Sequence, residues 1–204
     1  MLLETTAAKI AYVSGVTLFL TSLGWWAVLG HQESSPVSSE AQAAITDQAF
    51  AKDAARGGMA EVKLGKLAED NGSSEAVKTF GTRMVAEHTK AGHKLQEAAA
   101  QEHIALPTDL AAKDQATYDR LSKLSGADFD RAYAQDMVKD HQQDLRGFQR
   151  EANHGNDDLI RAFAAQTVPM IQQHLKQANE MLKTVSPTTS HRADKSSSRL
   201  SRGH

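Results

Sequence analysis

The sequence predicts an all-α fold, and three observations carry that prediction. Apolar residues recur at helical spacing through four long segments. Ala, Gln, Lys, Asp and Glu are abundant while aromatics make up only 5% of the chain, which suits helices packed through small residues rather than a sheet sandwich. Short breaks at Asn71-Gly72 and around Gly155 separate the segments with ordinary helix stops. At 204 residues the chain holds one domain with a core plus appendages.

The first long helix is expected over 47–70, with an inner seam of Phe50, Ala54, Gly57, Glu61, Leu64 and Ala68. Gly57-Gly58 costs helix stability. It is read as allowing close helix packing beside Glu61, with ligand access as the alternative. The second helix is expected over 74–103, capped by Ser73 or Ser74, with Glu75 favouring its first turn. Ile104-Ala-Leu-Pro107 breaks it. A short helix over 111–124 carries Tyr118, Leu121 and Leu124. Ser125 with Asp128 reads as a cap for a helix over 127–153 that shows Phe129, Tyr133, Met137, His141, Leu145 and Phe148 on one face. The last helix, over 157–184, shows Phe163, Thr167, Met170, His174, Ala178 and Met181, with Pro169 expected to kink it. Two short turns, 71–73 and 154–156, make two antiparallel hairpins, and a longer connection joins them. The expected architecture is a ferritin-like four-helix bundle with a short extra helix in the crossover.

The ends differ from this middle. Residues 10–30 carry no charge, follow Lys9 and hold Trp25 and Trp26 near their outer end. The run is long enough to span a bilayer and has an interfacial aromatic pair. It reads as an N-terminal hydrophobic helix, either an uncleaved signal anchor or a signal peptide cut near Val28-Leu29-Gly30. Either way the remainder is expected on the periplasmic side of the cell envelope, anchored in the inner membrane if the run is retained. Residues 31–46 read as a linker, 47–185 as the helical bundle, and 186–204 as a disordered basic tail with Arg192, Lys195, Arg199 and Arg202.

Several chemistries are excluded. The chain has no Cys, which removes disulfides, thiolate sites and Cys nucleophiles. A net charge of −2 gives no basic field for nucleic acid. No Gly-rich phosphate loop or nucleophile elbow occurs.

One pattern is left, and it recurs three times: Met84-Val-Ala-Glu-His88, Met137-Val-Lys-Asp-His141 and Met170-Ile-Gln-Gln-His174. A spacing of four places thioether and imidazole on one helix face. At about 1.5 Å rise per residue, and with both short turns at one end of the bundle, Glu61 and Met84 lie at roughly 17 Å depth, His88, His141 and Met170 at roughly 22 Å, and Met137 and His174 at roughly 28 Å. Glu61, His88, His141, His174, Met84, Met137 and Met170 are therefore the candidate metal ligands. Imidazole serves Cu, Zn, Fe and Ni and thioether favours Cu(I), so copper is the first choice among transition metals. A di-iron site fits poorly, because it wants Glu-x-x-His, and Val85, Val138 and Ile171 stand where the carboxylates belong. Asp144, three residues after His141, is the expected outer partner of that ring. The bland alternative is a structural core, with Met as filler and each His satisfied by a hydrogen bond. Noncovalent haem held by Met and His is a third reading.

The blocks Ala54-Ala-Arg-Gly-Gly-Met-Ala-Glu-Val-Lys-Leu-Gly-Lys-Leu-Ala68, Val77-Lys-Thr-Phe80, Met84-Val-Ala-Glu-His-Thr-Lys90, Gly126-Ala-Asp-Phe-Asp-Arg-Ala-Tyr133 and Met137-Val-Lys-Asp-His141 resemble a bacterial family of exported proteins described as "predicted outer membrane protein", a domain of unknown function in the ferritin-like superfamily. The resemblance spans about 46–183 and implies a ferritin-like bundle in the cell envelope. It implies no reaction and carries over no catalytic residue. An outer-membrane barrel is not expected, since no alternating strand pattern appears. Three functions compete: a metal-binding module, a structural or stress-related envelope protein without metal, and a ferritin-like oxidoreductase, against which the missing Glu-x-x-His counts. Membrane contact is expected through the N-terminal helix. The sequence names no protein partner.

Overall fold

A computed structural model of the chain describes residues 39–186, with side chains from residue 46 onward. The hydrophobic run 10–30, the first part of the linker and the basic tail beyond Ser186 lie outside the described residues. Among the described residues there are five helices and no strand: α1 Ser39–Asn71, α2 Glu75–Gln101, α3 Ala112–Leu121, α4 Gly126–His154 and α5 Asp158–Val185. None of them is long and apolar enough to cross a membrane. The expected linker ends earlier than residue 46, because α1 already begins at Ser39.

Local chemistry sets most boundaries. The Ser74 hydroxyl accepts from Val77 N at 3.2 Å and starts α2. Asp157 accepts from Leu159 N and Ile160 N and starts α5. The expected Ser125 cap does not form. Ser125 makes no side-chain capping bond, and Asp128 pairs with Arg131 instead. The helix α2 stops at Gln101, two residues short of the expected end. There His103 takes a left-handed conformation (φ 54°) while His103 N bonds Ala100 O and Ile104 N bonds Ala99 O. This is a Schellman stop, with buried Ile104 as its apolar anchor. Helix α5 runs on through Pro169 to Val185.

The main packing is α1 along α2 and α4 along α5, and α2 meets α5 across the core. At one crossing the α1 and α2 backbones nearly touch. A Cβ on Gly65 would lie 2.7 Å from the Gly81 carbonyl oxygen, and one on Gly81 would lie 2.6 Å from that of Gly65. The close approach expected at Gly57-Gly58 is made here instead, since a Cβ on Gly57 or Gly58 meets nothing within 4 Å.

The two hairpin turns lie at opposite ends, not at one end as the depth estimate assumed. Asp130, at the start of α4, accepts from Ser73 N, Ser73 Oγ and Ser74 N at 2.9, 2.6 and 2.9 Å. It thereby pins the α1–α2 turn. Asp47, near the start of α1, accepts from Asn156 N and Asp157 N at 3.1 and 2.8 Å and pins the α4–α5 turn. Hence α4 starts where α1 ends, α2 and α4 run parallel, and the crossover carrying α3 travels the length of the core. Asn71 Nδ2 donates to Leu124 O at 2.9 Å and fastens its far end.

Two apolar clusters fill this frame. One, by the α1–α2 turn, gathers Leu67, Val77, Phe80, Leu121, Phe129 and Tyr133. The other, by the α4–α5 turn, gathers Ala51, Leu95, Ala98, Ile104, Ile160 and Phe163. Polar residues occupy the middle.

Two consequences are measurable. Gly65→Ala or Gly81→Ala forces the helices apart and is expected to cost about 1–3 kcal/mol in urea unfolding. Gly92→Ala, where a Cβ meets nothing within 4 Å, is expected to gain about 0.5–1 kcal/mol. Beside Asp47, the Glu151 carboxyl is pushed up from 4.5 to about 7 by burial, by the charges of Asp47 and Asp157, and by its hydrogen bond with Asp47. The folded state therefore holds this proton more tightly than the unfolded chain. Its contribution is greatest below about pH 4.5 and is lost as pH rises through about 7. Unfolding between pH 5 and 8 is expected to show that loss in the parent chain and a smaller one in Glu151→Gln, where buried Asp144, also pushed up to about 7, still contributes.

Candidate metal centre

Helices α2, α4 and α5 bring His88, His141 and His174 together in the mid-core layer. Ring centroids lie 6.1 Å apart for His88–His141, 5.3 Å for His88–His174 and 5.3 Å for His141–His174. One nitrogen from each ring falls within 4.8 Å of the others. All three side chains are buried, His141 and His174 completely.

The tautomers follow from the outer partners. His141 Nδ1 lies 2.8 Å from the Met137 carbonyl oxygen, an acceptor, so Nδ1 carries the proton. His174 Nε2 lies 2.7 Å from Glu87 Oε2, so there Nε2 carries it. Lone pairs are left on His141 Nε2 and His174 Nδ1. These atoms and His88 Nε2 are buried and have no hydrogen-bond partner in the protein. The rings are neutral. Burial, then the His174 and His141 charges, lowers His88 to about 3. Burial, then His174, lowers His141 to about 4 against the Met137 hydrogen bond. Burial also lowers His174, opposed by Glu87.

Phe80 closes one side of the layer, edge-on to His141 and His174 at 6.0 and 6.3 Å. On the other side His88 reaches the wall of a cavity of about 1200 Å³.

The remaining sequence-predicted ligands divide. Met84 and Met137 are fully buried in the apolar cluster on the Phe80 side. Met170 is half-buried and lines the cavity. The cause is helix direction. Each Met precedes its His by one turn, and α5 runs antiparallel to α2 and α4, so Met170 falls on the opposite side of the layer. Glu61 is buried, with Oε2 unpartnered, but it is not one of the converging donors. It faces acids on α4 and α3. Burial, then Asp144, Asp140, Asp114 and Asp136, raises it well above the usual carboxylate range. Asp144 belongs to this group and is pushed up to about 7 by burial and by Asp140. It is not bonded to His141, whose Nδ1 uses its own helix.

Glu87 is the outer residue that the ligand set read from the sequence did not contain. It joins the exposed Arg83 at 3.4 Å to buried His174. Its position next to His88, about 100° around α2, was the available signal once α5 was known to be the neighbour.

The arrangement fits a transition metal. His141 and His174 present lone pairs inward, set by their outer partners, and neutral His88 brings an unpartnered Nε2 to the same layer. In a tetrahedral site with metal–nitrogen bonds of about 2.0–2.1 Å, donors sit about 3.4 Å apart. Separations of up to 4.8 Å close to that by about 1 Å of side-chain motion.

Residues 32–181 match the family described as a domain of unknown function, DUF4142. No curated protein and no solved structure matches the chain.

The tautomers give a direct check. Nitrogen-15 NMR of metal-free protein at pH 7 is expected to show His141 protonated on Nδ1 and His174 on Nε2. A swapped His174 signal would contradict the Glu87 hydrogen bond.

Proposed function

The chain belongs to this DUF4142 family of unknown function, and we propose that it is an exported ferritin-like bundle that holds one transition-metal ion through His88, His141 and His174. One observation carries the reading: three neutral imidazole nitrogens without protein partners converge in a buried layer. As a purely structural core this layer is costly, since each unsatisfied buried polar atom costs about 1–3 kcal/mol. A metal satisfies all three at once.

The ferritin-like assignment is supported by two antiparallel hairpins joined by a long crossover, with α2 and α4 parallel. Val85, Val138 and Ile171 still withhold the carboxylates of a di-iron centre. The donor set therefore favours holding an ion over ferroxidase chemistry. Copper is the first choice, with zinc beside it. Imidazole suits both, and Met84 and Met137 put two thioethers one turn from their histidines. Three protein donors leave a position open, and the side of the layer that His88 shares with the cavity, where Met170 also lies, is the approach to it. Glu61 stands with the α4 acids and is left out of the ligand set. The uncharged run 10–30 supports a place in the cell envelope, on the periplasmic side of the inner membrane.

Full-length protein stripped with chelator and titrated with Cu(I) under anaerobic conditions, then with Zn(II), is expected to bind one equivalent. The His88→Ala/His141→Ala/His174→Ala variant is expected to bind none. Glu87→Gln is expected to weaken binding by about 10–100-fold, the usual effect of losing an outer hydrogen-bond partner. No stoichiometric binding of either ion, or equal binding by the triple variant, would overturn the reading.

A further inference from the structure

The cavity beside His88 has features that the metal reading does not use. At about 1200 Å³ it is somewhat larger than the roughly 300–1,000 Å³ usual for organic-ligand sites. It opens between α1, α2, α4, α5 and the crossover. Phe50, Leu95, Leu106, Phe148, Phe163 and Ile171 give it an apolar lining.

Four helix-interior glycines also line it: Gly57 and Gly58 on α1, Gly92 on α2 and Gly147 on α4. A Cβ on any of them meets nothing within 4 Å. Each costs its helix roughly 0.5–1 kcal/mol relative to Ala. Unlike Gly65 and Gly81, none is needed for helix–helix contact. What the four share is open volume.

The wall also carries Arg56, Arg146 and Arg150, the last two one turn apart on α4. Among the described residues the paired arginines are Arg83, Arg120, Arg131 and Arg161, so these three guanidiniums have no ion-pair partner there. Lys63 and Lys113 add two cations to this wall, against the carboxylates of Asp53, Asp109, Asp114, Asp144 and Glu151. Asp114 is paired with Lys113 at 3.7 Å. Burial holds Asp144 and Glu151 near 7, partly neutral, so the acids offset the cations only in part.

We propose that this cavity binds an amphiphilic organic anion, with its apolar body against the phenylalanines and glycine faces and its head group on Arg56, Arg146 and Arg150. Planar guanidinium groups suit carboxylate and phosphate heads alike. The site does not depend on a metal at the histidines.

The test uses full-length, EDTA-treated protein in amphipol and isothermal titration with four probes: decanoate, decyl phosphate, decanol and acetate. Decanoate and decyl phosphate are expected to bind, and the tighter of the two identifies the head group. Decanol is expected to bind at least about tenfold more weakly, the loss of one charge-assisted contact, and acetate not at all. Gly92→Leu/Gly147→Leu fills the cavity and is expected to abolish binding. That variant replaces glycine with a stronger helix former where nothing obstructs it, and unchanged helical circular dichroism checks the fold. Arg146→Gln/Arg150→Gln, at exposed positions, is expected to weaken decanoate by about tenfold. Neither anion binding, equal affinity for decanol, or undiminished binding by the leucine variant would overturn the proposal. Because the protein is metal-free throughout, these outcomes are separate from failure of the metal titration.

Discussion

Three imidazole nitrogens point inward at mid-height with nothing in the protein to accept from or donate to, and the surrounding structure holds them so. The Met137 carbonyl fixes one ring and Glu87 another, which sets both tautomers. Burial keeps the rings uncharged. Phe80 covers one side of the layer, and His88 faces the cavity on the other. A buried lone pair has few inexpensive partners, and a metal ion is the one that satisfies three together.

The frame around this layer is tight at one end and open at the other. Gly65 and Gly81 draw α1 and α2 into backbone contact on the side of the α1–α2 turn. Toward the α4–α5 turn a cavity of about 1200 Å³ opens, with four glycine faces on its wall. Both turns are held by the same device, an aspartate from the opposite hairpin accepting backbone N–H groups: Asp130 at one end, Asp47 at the other. The second aspartate is crowded by Glu151, so the open end is the more sensitive to pH.

Much of this was legible from residue spacing. The helices came from apolar periodicity, and their ends from Asn71-Gly72, Ser74 and Asp157. Convergence of the histidines was also legible, although the premise used for it was not correct. Both turns were placed at one end, whereas they lie at opposite ends. The histidines still meet because His88, His141 and His174 all sit near the middle of helices of 27–29 residues, where reversing a hairpin changes depth little. The Met residues have no such protection. Helix polarity sends Met170 to the cavity side and leaves Met84 and Met137 in the apolar cluster. Glu61 shares an apolar seam with the ligand candidates, but the seam position could not reveal that α3 and α4 bring acids to it. The role of Glu87 and the open faces of Gly57 and Gly58 depend on which helix stands opposite, and periodicity along one helix does not contain that.

X-ray absorption spectroscopy on copper- or zinc-loaded full-length protein tests the central claim most directly. The account predicts a first shell dominated by about three imidazole nitrogens near 2.0–2.1 Å, with the multiple-scattering signature of histidine rings. Substituting His88, His141 and His174 together should remove it. A first shell of oxygen donors without histidine scattering, or one unchanged in the triple variant, would contradict it.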